Sequence, residues 1–172
     1  MQTIEKVVPP TTAPITPPTH PGEWSIIQIV SVLSRPLPAR LLKTRQQGKS
    51  SLKYIPWQEA TRILNKYAPG WSWEIRSTTA TADRLFLVGR LTIPAAEGMV
   101  HREATGTELL KEEKEVWLGE KPDRRLLRDE LDRPVTEARE LAYGDPSSNA
   151  ESMAFRRAAA RFGLCLNLYD KD

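Results

Sequence analysis

The sequence predicts an α+β fold: an antiparallel β-meander of three or more strands packed on a long C-terminal helix, with an N-terminal helix and a charged helical insertion. Three observations carry this expectation. Trp71, Trp73 and Ile75 alternate with Ser72, Glu74 and Arg76, which is the period of a half-buried strand. Residues 151–163 place Met153, Ala154, Phe155, Ala158, Ala159 and Phe162 at helical spacing behind a helix-start signal. Between the meander and that helix lies a stretch, 108–143, rich in charge and leucine and of helical composition.

The elements follow in order. Residues 1–22 are rich in Pro and Thr, lack periodicity and read as a disordered tail. Residues 23–172 form the core domain. Trp24, Ile26, Ile27, Ile29, Val30, Val32 and Leu33 permit a short amphipathic helix, though their β-branching leaves a strand open. Pro36 and Pro38 end it. Residues 39–53 read as a basic loop or short helix with Gly48 as a flexible point. A helix over 56–68 starts at Pro56, whose missing N–H costs nothing in a first turn. It carries Trp57, Ala60, Ile63, Leu64 and Tyr67 on one side and stops at Pro69 and Gly70. Strands follow around 71–76, 84–93 and 99–107, the last two joined by a turn at Glu97 and Gly98. In the insertion, Gly119, Pro122 and Pro134 interrupt the helical pattern. Ser148 and Glu151 resemble a capping box for the last helix, and Gly163 suits its C-terminal cap. Residues 164–169 alternate and suggest a short strand or extended end.

Composition narrows the function. The 172 residues carry a formal charge of only +3, but the distribution is polarised. Residues 35–66 hold eight basic side chains against Glu59 alone, whereas residues 101–140 hold nine basic and twelve acidic. A basic block beside an acidic one lets a near-neutral protein grip a polyanion. Tyr54 and Trp57 adjoin Lys53, and rings beside cations suit single-stranded nucleic acid, where bases stack and phosphates are neutralised. Core packing is the competing reading, favoured for Trp57 and balanced for Tyr54. Cys165, the single cysteine, excludes an internal disulfide and reads as a small core residue. His20 and His101 are too far apart in sequence to suggest a metal site. Gly48-Lys49-Ser50 lacks the first glycine of a phosphate-binding loop, since position 43 is Lys. The run Glu112-Glu113-Lys114-Glu115 mixes charge sign as a solvated face does. No cofactor and no catalytic or metal-binding residue is expected. With no apolar run near ~20 residues and no signal peptide in the first twenty, a soluble cytoplasmic protein without membrane contact is expected.

Four pieces of residues 23–172 together resemble the core of the Rad-fifty-two type single-strand annealing proteins. They are Lys53-Tyr54-Ile55 before the first core helix, Gly70-Trp71-Ser72-Trp73 entering the first strand, the meander, and Ala154-Phe155-Arg156-Arg157-Ala158 with Arg161-Phe162-Gly163 after it. The last is the most specific. The stretch Tyr143-Gly144-Asp145-Pro146-Ser147-Ser148-Asn149-Ala150 looks like the microbial and phage branch. The resemblance implies a non-enzymatic protein of DNA repair and homologous recombination. Such a protein binds single-stranded DNA, anneals complementary strands and assembles into homo-oligomeric rings. It implies a DNA groove lined by Arg156 and Arg157, with Arg45 and its neighbours Lys43 and Lys53 before the first core helix, Tyr54 near the bound strand, and Arg161 as a further candidate. The chain departs from the family in its longer, more acidic insertion. It also ends at Asp172, without the tail by which longer relatives recruit a recombinase or a single-strand-binding protein. The alternatives are a module that coats single-stranded DNA or RNA without annealing, and a nuclease using the acids of the insertion.

Overall fold

The computed structural model describes residues 16–47, 50–140 and 145–169. The expected tail therefore lies largely outside the described residues, but its end does not behave as a tail. Pro18 is buried. The Glu23 carboxylate accepts from the Thr19 N–H at 2.6 Å and folds this stretch back. A Cβ on Gly70 would lie 2.7 Å from the Pro21 ring, so Pro21 packs directly on the turn at Gly70.

The first helix, α1 (Ile26–Leu33), is fixed by a capping box. The Gln28 N–H donates to Ser25 Oγ and the Ser25 N–H donates to Gln28 Oε1, which decides helix over strand despite the β-branched content. Ile29 and Leu33 face the core. A 3-10 turn (Ala39–Leu41) leads to a hairpin, β1 (Lys43–Gln47) and β2 (Ser50–Tyr54). The basic segment expected as a loop or short helix is thus largely extended, with Lys43 opposite Tyr54 and Arg45 opposite Leu52. Helix α2 (Trp57–Tyr67) follows Pro56, buries Ala60 and Leu64, and ends before Gly70, whose φ of +80° reverses the chain.

The meander consists of β3 (Ser72–Ala80), β4 (Arg84–Ala95) and β5 (Gly98–Leu109), in that spatial order and antiparallel throughout. β4 buries alternate residues, among them Leu87, Leu91, Ile93 and Ala95. Its twelve residues pair in unbroken register with β5, from Arg84↔Leu109 to Ala95↔Gly98.

Helix α3 (Pro146–Ala160) lies across this sheet. Ala150, Ala154 and Ala158, one turn apart, are fully buried. The approach is backbone to backbone, since a Cβ on Gly106 of β5 would sit 1.8 Å from the Ala150 carbonyl oxygen. The expected capping box at Ser148 and Glu151 does not form. Asp145 is the cap instead, its Oδ1 accepting from the Ser148 N–H at 3.0 Å, because Pro146 starts the helix earlier. Gly163 (φ +99°) closes the far end: its N–H reaches Ala160 O and the Leu164 N–H reaches Ala159 O, the paired bonds of a Schellman motif. Beyond it, Leu166–Tyr169 is a 3-10 turn rather than a strand.

The insertion departs most from expectation. Its described residues form no helix. They form two short ladders, β6 (Lys111–Glu115) with β9 (Thr136–Glu140) and β7 (Trp117–Leu118) with β8 (Arg125–Leu126). The β6–β9 register sets Lys111 against Glu140, Glu112 against Arg139 and Lys114 against Glu137. Opposite charges thus stand at facing positions of the ladder, while the ion pairs themselves run along each strand, Lys114 to Glu112 and Arg139 to Glu137.

Candidate nucleic-acid interface

A cleft of about 610 Å³ lies between the β1–β2 hairpin, the start of α2, α3 and the 3-10 turn at Leu166–Tyr169. The hairpin supplies Lys43, Arg45 and Lys53 to its walls, and α3 supplies Arg156 and Arg157. More than a hundred residues separate the two groups in sequence. Period-two geometry puts Lys43 and Arg45 of β1 on the same hairpin face as Leu52 and Tyr54 of β2, while Lys53, opposite Thr44, belongs to the other face and borders the cleft at its edge. Tyr54 is the hinge between the two groups, with the Arg156 guanidinium carbon 5.2 Å from its ring centroid. A cation over a ring face is held in place while its charge remains available to an anion.

The electrostatics are one-sided. Five cations line the cleft against one carboxylate, Glu108. Burial pulls the Arg156 guanidinium below the ordinary arginine range, and the positive charges of Arg45 and Arg157 act in the same direction. Burial raises the Tyr169 phenol at the same wall. Arg157 Nη1 donates to the Thr105 carbonyl at 2.9 Å, a neutral partner that positions the side chain without cancelling its charge. Among the described residues none of the five forms an ion pair within 4.0 Å. Arg62, Arg76, Arg90, Arg128, Arg133 and Arg139 all do. An anion entering this cleft would relieve repulsion between like charges.

Six of the seven residues singled out in the sequence thus converge: Lys43, Arg45, Lys53, Tyr54, Arg156 and Arg157. Arg161 does not join them. It is exposed at the C-cap of α3, where its backbone N–H closes the last turn. Trp57, expected in the core, is 47% exposed and lines the cleft. It occupies the first position of α2, where the chain is still turning off the hairpin, so the helical stripe that buries Ala60 and Leu64 does not bury it. Tyr169 also lines the cleft, and only the unforeseen 3-10 turn brings it there. Cys165 is buried as expected, and burial pushes its thiol up to about 11, which leaves it unreactive. Among the described residues no group of three or more His, Cys, Asp or Glu side chains is placed to hold a metal ion. No described helix is long and apolar enough to cross a membrane.

No family model matches the chain. Individual relatives do. The chain is 34% identical over 157 residues to "DNA repair RAD52-like protein 1, mitochondrial" of Arabidopsis thaliana, covering 90% of this chain and 73% of that protein. The chain belongs to the RAD52-like family of DNA repair proteins. A second RAD52-like relative, "DNA repair RAD52-like protein 2, chloroplastic" of the same plant, is 33% identical over 148 residues, covering 84% of this chain and 60% of that protein. These RAD52-like relatives agree with the family expected from the meander and the Arg-Arg helix. They are plant organellar proteins by name, so the microbial or phage branch is not what the likeness identifies.

Proposed function

We propose that the cleft holds single-stranded DNA by its phosphate backbone, and that the protein anneals complementary strands in DNA repair and homologous recombination as a homo-oligomeric ring. The observation that carries this reading is the convergence of Lys43, Arg45, Arg156 and Arg157 around Tyr54, with Lys53 at the edge of the cleft and only Glu108 opposed. Phosphate contacts supply affinity without sequence preference. Annealing makes and breaks no covalent bond: it needs strands held extended with their base edges free to sample pairing, so the protein acts without catalysis. A ring links many weak sites at high effective concentration. Among the described residues no strand pairs with the outer edges of β3 and β5 in the β3–β4–β5 sheet, and these edges offer surface for neighbouring copies. The microbial or phage branch and a cytoplasmic location remain our reading of residues 143–150 and of the sequence as a whole.

The test is the annealing of complementary fluorescent oligonucleotides with and without protein, alongside light scattering. Acceleration over the protein-free reaction by a large homo-oligomer is the expected result. Binding without acceleration would leave a coating module for single-stranded DNA or RNA. A monomer at micromolar concentration would overturn the ring.

A further inference from the structure

Beside the cationic cleft lies a second, smaller cavity of about 210 Å³. Its walls are mainly aromatic: Trp57, Trp71, Trp73 and Phe155. The rings are held rigidly. Trp71 and Trp73 pack on Phe155 with centroids 5.6 and 5.2 Å apart, the second pair edge to face. The Trp71 indole N–H donates to Asn65 Oδ1 at 2.7 Å, and that of Trp73 donates to Glu151 Oε1 at 3.0 Å. The Glu151 carboxylate is the one charged group in the lining and has acceptor capacity left over. Trp57, Ser148 and Ser152 line both this cavity and the cleft, so the two are adjacent across these side chains.

We propose that this pocket takes a single nucleobase turned out of the strand held in the cleft, with Trp57 as the shared wall and Glu151 accepting from the exocyclic amino group of the base. The inference rests on the reading of the cleft as a single-strand site. Four properties select this occupant. The volume suits one planar ring system and falls short of the roughly 300–1,000 Å³ of drug-sized ligand pockets. Indole and phenyl walls are the surfaces on which everted bases stack. A carboxylate repels phosphate, so the backbone stays among the arginines while a neutral base enters. Cytosine, adenine and guanine carry an amino donor and thymine does not, so the pocket discriminates weakly by base. The pocket would space the strand periodically, one anchored base per protomer, and leave the bases between free to pair.

The experiment compares three strands of equal length on the full chain by fluorescence anisotropy: oligo(dC), oligo(dT) and an abasic deoxyribose-phosphate polymer. Oligo(dC) is expected to bind about tenfold tighter than the abasic strand, the scale of one stacked base. It should bind about fivefold tighter than oligo(dT), the scale of one hydrogen bond. Trp57→Ala should bring the affinity for oligo(dC) close to that for the abasic strand measured on the same variant, and Trp57→Phe should restore most of the difference. An undiminished advantage of oligo(dC) over the abasic strand in folded Trp57→Ala would overturn the pocket, and equal affinity for oligo(dC) and oligo(dT) would overturn the role of Glu151. The cleft is tested separately: abasic binding that ignores the combined Arg156→Ala and Arg157→Ala change would refute the cleft itself.

Discussion

Replacing Arg156 and Arg157 together by alanine should lower both the affinity for single-stranded DNA and its dependence on salt. The size of the effect follows from the cleft. Each phosphate neutralised on a single strand contributes about 0.7 to the slope of log K against log salt. If all five cleft cations contact phosphates, the slope per protomer is about −3.5, and raising salt from 50 to 200 mM weakens binding roughly 130-fold. With three cations left, the slope falls to about −2.1 and the same salt step costs roughly 18-fold. The loss should be equal for all sequences, because the proposed contacts of both side chains are to the backbone. Arg161→Ala removes the same kind of charge from the same helix but outside the cleft, and should leave the slope near the parent value. Anisotropy titrations with a labelled oligonucleotide at four salt concentrations measure both quantities, and circular dichroism confirms that each variant is folded. A double variant with the parent slope, or an Arg161 variant with the larger loss, would refute the assignment of the cleft.

Two further predictions concern the scaffold. Gly106→Ala should destabilise the fold by about 3 kcal/mol, because the new methyl meets the Ala150 backbone rather than a side chain that can move; thermal unfolding should shift down by roughly 6–12 °C, and a shift under 2 °C would contradict the contact. Asp145→Ala should lower the melting temperature at neutral pH by removing the α3 cap. The Ser148 backbone N–H, followed by the Ser147 hydroxyl, holds the Asp145 carboxyl below its ordinary range. Its contribution is therefore fully present above the unfolded value of about 3.9 and lost as pH falls through the folded one. The gap between parent and variant should close on acidification below pH ~4, and a gap constant down to pH ~2 would mean that the carboxylate is not the source.

The meander and the last helix were legible because their cues are local. Alternation in β4 and the alanines of α3 report burial directly. The insertion was not, because the same glutamates, lysines and leucines suit a helix in isolation. Its ladder depends on pairing Lys111 with Glu140 and Glu112 with Arg139 across nearly thirty residues, a register that no window of sequence displays. The site divides in the same way. Arg156 and Arg157 stand together in a recognisable helix, and Lys43, Arg45, Lys53 and Tyr54 lie in a visibly basic segment. That the two groups face each other follows only from the hairpin. Trp57 differs from the expectation because helical periodicity predicts which side of a helix is buried, but a residue in its first turn can lie beyond the edge of the surface that covers the rest.

The two walls of the cleft differ in firmness. On one side, α3 is pinned to the sheet by Gly106 and the buried alanines. On the other, Lys43, Thr44, Arg45 and Gln46 are all exposed, as are Ser51, Leu52 and Lys53 across the ladder, so a two-stranded ribbon stands almost clear of the core. Such a ribbon opens at far lower free energy than the body that carries it. The consequence is an anvil with a yielding clasp. The clasp carries three of the five cleft cations, so its opening would release much of the proposed grip on a strand while the floor stays intact. If the cleft holds single strands as proposed, their turnover would be set by the fraying of one hairpin, and substitutions that stiffen it would tighten binding while slowing the exchange on which a search for the complementary strand depends.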